Sequence, residues 1–187
     1  MKATITYYYT LILLLTASLY SCGVSKFIPN GEVLYTGSKI NIEADKDIGN
    51  TKKVSQELHT LLEPEPNSKI LGIRPGLYFH YKAQKKRPGF LNRWLNKKLG
   101  EEPVYLSDVN PQRIEQLMLN RLDNRGYFYS KATSELDSAQ KHASVKYQVE
   151  LKKPYTLEQF KLAKDSLPIY NDISKALAKT QIKLGKR

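Results

Sequence analysis

The segment NPQRIEQLMLNRLDNRGYFYSK, residues 110–131, holds a helix start, an apolar stripe and a helix stop in one run. Asn110 stands where an N-cap is wanted. Pro111 falls at the first helical position, where its missing N–H would have had no partner inside the helix. Ile114, Leu117, Met118 and Leu122 recur at helical spacing and make one apolar face. Gly126 follows where the chain must turn left-handed to leave the helix. The aromatic run YFYSKATSEL (127–136) then predicts a strand, DSAQKH (137–142) a turn, and ASVKYQVEL (143–151) a second strand. In that last strand Ala143, Val145, Tyr147, Val149 and Leu151 alternate with Ser144, Lys146, Gln148 and Glu150.

Upstream, KINIEA (39–44) also has a period of two, with Ile40, Ile42 and Ala44 opposed to Lys39, Asn41 and Glu43. Asn50 or Thr51 can cap a helix carrying Val54, Leu58, Leu61 and Leu62, which Pro64 and Pro66 stop. Each helix has one apolar stripe and each strand one wet face. The economical solution is an α+β domain of order β-α-α-β-β, two helices packed on one face of a three-stranded sheet. Such a sheet keeps an open edge, which can take an extended peptide by strand addition. Residues 127–136 are the expected edge. After KKPYT the pattern restarts: YTLEQFKL (155–162) reads as a new first strand, and Asn171 or Asp172 can cap a helix through Ile173, Ala176, Leu177 and Thr180. The expected divisions are a leader over 1–21, a linker over 22–32, a domain over 33–153 and the start of a second unit over 154–187.

Residues 64–109 separate the two helices by far more than an ordinary connection, so the insertion has structure or a role of its own. Its middle, YKAQKKRPGFLNRWLNKKLG, carries Lys82, Lys85, Lys86, Arg87, Arg93, Lys97 and Lys98 without an acid. A helix over 89–99 would put Phe90, Leu91, Trp94, Leu95 and Leu99 roughly on one side. A basic amphipathic helix with a Trp on its apolar side can lie in a membrane interface, with Arg93, Trp94, Lys97 and Lys98 as the contacts and anionic headgroups as partners. The same leucines and Trp94 could instead pack on the domain while the cations face solvent.

The amino end bears on location. A helix over the charge-free residues 5–20 reaches only about 24 Å, short of the ~30 Å hydrocarbon core, and the shape is that of a secretory leader. Leu19-Tyr20-Ser21-Cys22 resembles the lipobox of bacterial lipoproteins. That resemblance implies acylation of Cys22, the sole cysteine, and cleavage before it; a plain leader or a short membrane anchor with an unmodified thiol is the alternative. Gly23 in place of an Asp, and no acidic cluster behind it, favour the periplasmic leaflet of the outer membrane. The net charge is +12, or about +11 without Lys2. In a lipid-tethered exported chain this points to acidic surfaces and headgroups rather than nucleic acid.

The sequence has no HExxH, Walker or GxSxG motif. His59, His80 and His142 are scattered, and one Cys without a His pair makes no zinc site; the expectation is no catalytic residue, no metal and no cofactor. Asp137-Ser138-Ala139 and Asp165-Ser166-Leu167 fit the short pattern of Bacteroidetes-type O-glycosylation, making Ser138 and Ser166 candidates, Ser138 through exposure in the hairpin turn.

The strand–helix–helix–strand–strand order, the helix-to-Gly126-Tyr127-Phe128 junction and the restart at Lys153-Pro154-Tyr155-Thr156 resemble POTRA domains, the polypeptide-transport-associated modules of outer-membrane assembly proteins. CGVSKFIPNGEVLYTGSKI (22–40), PEPNSKILGIRPGLYFHYKA (64–83), NRWLNKKLGEEPVYLSDV (92–109) and LMLNRLDNRGYFYSK (117–131) resemble more closely the TamA-like lipoproteins (bacterial surface antigen family) of Bacteroidetes. The resemblance implies the amino-terminal part of such a protein, full members continuing through further units into a barrel. It also implies a lipid-anchored, periplasm-facing, non-enzymatic module that binds unfolded outer-membrane polypeptides or an assembly partner. A tethering spacer, or a fragment of a longer barrel protein without activity, stands beside it.

Overall fold

The computed structural model describes residues 23–46, 48–161, 169–177, 179, 180 and 185. The expected leader, Cys22 and Ser166 lie outside them. The elements are β1 (Leu34–Ala44), α1 (Thr51–His59), α2 (Pro75–Ala83), α3 (Phe90–Leu99), α4 (Pro111–Asp123), β2 (Lys131–Ala139), β3 (His142–Leu151) and α5 (Ile169–Leu177). Short 3-10 turns occur at Ser25–Phe27 and Leu106–Asp108. The class is α+β, with a three-stranded sheet in the order β1-β3-β2. Among the described residues no helix is long and apolar enough to cross a membrane.

β3 is central, and it buries Ala143, Val145, Tyr147, Val149 and Leu151 as its alternation demands. β1 runs parallel to it. Thr36 Oγ1 donates to the Ala143 carbonyl and Asn41 Nδ2 to Gln148 Oε1, each across the same 107 positions, and a constant offset means a common direction. A parallel pair needs a crossover, which the helices supply. β2 and β3 form a hairpin closed by Gln140 and Lys141, with Gln140 at φ 52°. Positive φ in a two-residue loop matches the strands' right-handed twist.

The hairpin corrects two expectations. The turn is Gln140-Lys141 rather than 137–142, and β2 occupies 131–139 rather than 127–136. Tyr127–Ser130 are spent on leaving α4. Gly126 N–H donates to the Asp123 carbonyl at 2.8 Å, and Tyr127 N–H to that of Leu122 at 2.9 Å. This is a Schellman stop, sealed by burial of Leu122 and Tyr127. Gly126 has φ 83°, and a Cβ there would stand 3.1 Å from the Tyr155 carbonyl oxygen.

Contacts group into two compact units, and all three strands contribute to both. One unit comprises the described residues up to Lys39 with Leu62–Pro111 and Glu135–Lys146. Its apolar cluster is Val24, Ile28, Leu34, Leu77 and Tyr81, with Phe27, Tyr78 and Tyr105 packed against it. Phe27 stacks on Tyr81 at 5.7 Å, and the Tyr81 and Tyr105 hydroxyls are 3.0 Å apart. Within the stretch expected as a linker, Val24 and Ile28, which flank the 3-10 turn, are thus buried in a core.

The other unit comprises Ile40–Leu61, Gln112–Ser134 and the described residues from Tyr147 onward. Val54 and Leu58 of α1 and Ile114, Met118 and Leu122 of α4 are buried in it. Leu117, expected in that stripe, is 38% exposed; the buried positions follow a strict i, i+4, i+8 row. α1 stops at His59, leaving Leu61 and Leu62 half-buried beyond it. Asn50 holds the N-cap position at φ 66° without a side-chain cap bond. Residues 155–161 form no strand, contrary to expectation, and α5 begins at Ile169, earlier than its expected cap.

Two substitutions test this account in urea unfolding. Leu122→Ala should cost about 2–5 kcal/mol through the cavity it leaves. Gly126→Ala should cost more than about 1 kcal/mol, since alanine must either strain at positive φ or undo the helix stop.

Candidate functional site

Among the described residues, β2 is a terminal strand of the sheet and is hydrogen-bonded on one side, to β3. The two-residue loop puts Ala139 opposite His142, which sets the register of the pair. In that register the backbone N–H and C=O groups of Ala132, Ser134, Leu136 and Ser138 face away from β3. Ala132 is buried, whereas the strand from Glu135 onward is exposed on both faces, Leu136 to 50%. An ion pair ties β2 to β3: Asp137 pairs with Lys146 at 2.9 Å. That hydrogen bond, then the charge of Lys146, holds the Asp137 carboxyl below its ordinary range. Ser138 is exposed on this strand rather than in the turn.

The opposite edge is covered at its start. Tyr35 N–H donates to the Val104 carbonyl at 2.9 Å and Leu106 N–H to that of Val33 at 2.8 Å, so the returning insertion pairs with β1. Asn67 makes this possible. Its Nδ2 donates to the Glu102 carbonyl at 2.6 Å, and its Oδ1 accepts from Val104 N–H at 2.9 Å. Its own carbonyl accepts from the Arg74 guanidinium. Asn67 and Arg74 are both buried. Burial alone would raise the Glu101 carboxyl, but bonds from Ser68 and Asn67 and the charge of Arg74 outweigh it and hold it low. Glu101 is thereby kept ionised opposite Arg74.

Within the insertion, α2 was not foreseen; Pro75 at its start was the available signal. It packs against α3. The approach is close at Gly76, where a Cβ would lie 2.9 Å from the Leu99 carbonyl oxygen. α3 matches the helix expected over 89–99, yet none of its residues is buried. Phe90, Leu91 and Leu99 are exposed, Trp94 is 50% exposed, and Arg93, Lys97 and Lys98 lie on the surface with them. The cations and the Trp are thus brought together on one exposed helix.

His59 ends α1, His80 lies in α2 bonded to Gln84 at 2.7 Å, and His142 opens β3 within 3.4 Å of Ser25 Oγ. Among the described residues no group of three or more His, Cys, Asp or Glu side chains could hold a metal ion. Asn67 and Arg74 carry no periodic or motif signal, and only the fold reveals them.

No family model matches the chain, nor does any curated protein. Among solved structures the chain is similar to BamA POTRA3-5 of Haemophilus influenzae, with a TM-score of 0.26 and 13% identity over 85% of this chain and 82% of that one. A likeness that loose decides neither fold nor role.

Asn67→Ala should speed hydrogen exchange at Tyr35 and Val104 and leave Tyr147 and Val149 protected. The variant strands groups that cost about 1–3 kcal/mol each when buried without partners.

Proposed function

We propose that this chain is a lipid-anchored, periplasm-facing binding module of the POTRA type from an outer-membrane assembly or translocation protein of the TamA-like class. On this reading it offers the open side of β2 to an unfolded outer-membrane polypeptide or to a partner's strand. The observation that carries the reading is the terminal position of β2 together with the cover over the start of β1. Main-chain bonding of this kind tolerates many sequences, as handling of varied cargo requires. No nucleophile, base or metal enters the reading, and the chain acts by binding.

Leu136→Pro tests the edge. Its N–H faces away from β3, so proline leaves the β2–β3 ladder intact. The variant should keep its circular dichroism spectrum and lose photocrosslinking of unfolded barrel protein to a probe at residue 134. Crosslinking at wild-type yield in the folded variant would overturn the assignment.

Tethering is the second reading, and α3 favours it. In the same unit the tip between Ile70 and Ile73 carries Leu71, 92% exposed at φ 47°. Val24 is buried two positions beyond Cys22, so an acylated Cys22 would hang on a leash of about 7 Å. Such a leash holds this unit at headgroup level, where α3 and Leu71 meet lipid. Unlipidated Cys22→Ala protein should float with anionic liposomes, and Trp94→Ala or Lys97→Glu should reduce that flotation several-fold. Equal flotation of all three proteins would remove the interfacial role, and wild-type protein that takes up no labelled palmitate would remove the anchor.

A further inference from the structure

A cleft of about 650 Å³ opens in the unit that contains β1's first half and the insertion. Lys39, Lys69, Arg74, His142, Ser144 and Gly23 are in its wall, and no carboxylate is. Its cations come from three separate segments: β1, the stretch after Asn67, and the residue before α2. Lys39 and Lys69 are surface chains, and the charge of Lys39 also reaches the Asp137 carboxylate.

Arg74 is different. It is 8% exposed, and its hydrogen bond goes to the Asn67 carbonyl. A guanidinium has five N–H donors in a fixed fork, so donors remain for whatever enters. Burial lowers its pKa and the charge of Glu101 raises it; guanidinium remains a cation under either influence. His142 is pushed below its ordinary value by burial and then by Arg74, so the wall presents a neutral imidazole near pH 7. A planar donor held in place with two mobile ammonium groups suits a dianion with several oxygens better than a single carboxylate.

We propose that this cleft binds a phosphate monoester, with Arg74 donating to two of its oxygens and Lys39 and Lys69 neutralising its charge. The site shares no lining residue with β2 and does not depend on strand capture. Its bearing on membrane contact rests on the tether proposed above: Gly23 lines the cleft and follows Cys22 directly, so anchoring would bring the opening to lipid headgroups. The two sources of such a ligand are a lipid headgroup and a soluble ester.

Calorimetry distinguishes them, with the full chain in detergent titrated with inorganic phosphate and, separately, the unlipidated Cys22→Ala chain in detergent-free buffer titrated with vesicles of phosphatidylcholine with and without phosphatidic acid. Phosphate should bind saturably, and Lys39→Gln with Lys69→Gln should weaken it by roughly tenfold or more. Arg74→Lys, checked for an unchanged thermal midpoint, should weaken it similarly because the fork is lost. Lys52→Gln, on α1, should leave it unchanged. Phosphatidic-acid vesicles bound more tightly than inorganic phosphate, with the same loss in the lysine variant, assign the headgroup; the reverse order assigns a soluble ester. Absence of saturable binding to either probe, acetate binding as tightly as phosphate, or an unweakened lysine variant overturns the site. Leu136→Pro should bind phosphate normally, so failure of the strand-capture reading and failure of this one are separable.

Discussion

Parallel pairing of β1 with β3 is the constraint from which the rest of the arrangement follows. Residues 107 positions apart must lie side by side and point the same way. A tight turn cannot do this, so the chain from β1 to β3 runs first through the helices and then through β2 and its hairpin loop. Because β3 takes β1 on one flank and its hairpin partner on the other, β2 is left at the margin. The available edge is thus a consequence of strand order, not of any special residue in β2.

The insertion meets the same sheet from the other side, and it does so through polar groups. An irregular stretch brought against a strand carries backbone N–H and C=O groups that need partners. Asn67 supplies them: one amide side chain satisfies Glu102 and Val104, while its carbonyl takes Arg74. Arg74 is tolerable in that place because Glu101 is held ionised nearby. The pairing of Tyr35 with Val104 thus rests on the Asn67 side chain, and the seat of Arg74 in the basic cleft on the backbone carbonyl of the same residue.

Much of the architecture was legible because it is periodic. The alternation of β3 maps onto its buried face residue by residue, and the Pro111 start and Gly126 stop of α4 are local chemistry that tertiary contacts did not override. The hairpin was misplaced for a physical reason. Tyr127, Phe128 and Tyr129 have the composition of a strand, but the Schellman exit claims Tyr127 for the helix, and the strand starts only after Ser130. In α2, Leu77, Tyr78, Phe79 and Tyr81 crowd a short aromatic run and blur any stripe, so its helix went unread. The exposed cations of α3 were visible as a charge pattern, whereas the cleft joins Lys39, Lys69 and Arg74 from segments that only folding brings together.

The exposure of β2 also sets the strength of what it can bind. Four residues with outward N–H and C=O groups allow about eight main-chain bonds, each worth ~0.5–1.5 kcal/mol net. Ordering about seven residues of an incoming strand costs ~1–2 kcal/mol apiece, so the two contributions nearly cancel. Burial of apolar side chains would tip the balance, but from Glu135 onward neither face of β2 is covered, and Leu136 is the large apolar side chain there. Strand capture of the kind proposed would therefore be weak and reversible at this edge unless the local concentration of cargo were high. A short leash at Cys22 and a basic, Trp-bearing helix in the same unit would confine encounters to the layer next to the membrane, which raises that concentration without any tighter contact. On the proposed reading, weak affinity for the strand and confinement to the surface would be complementary requirements.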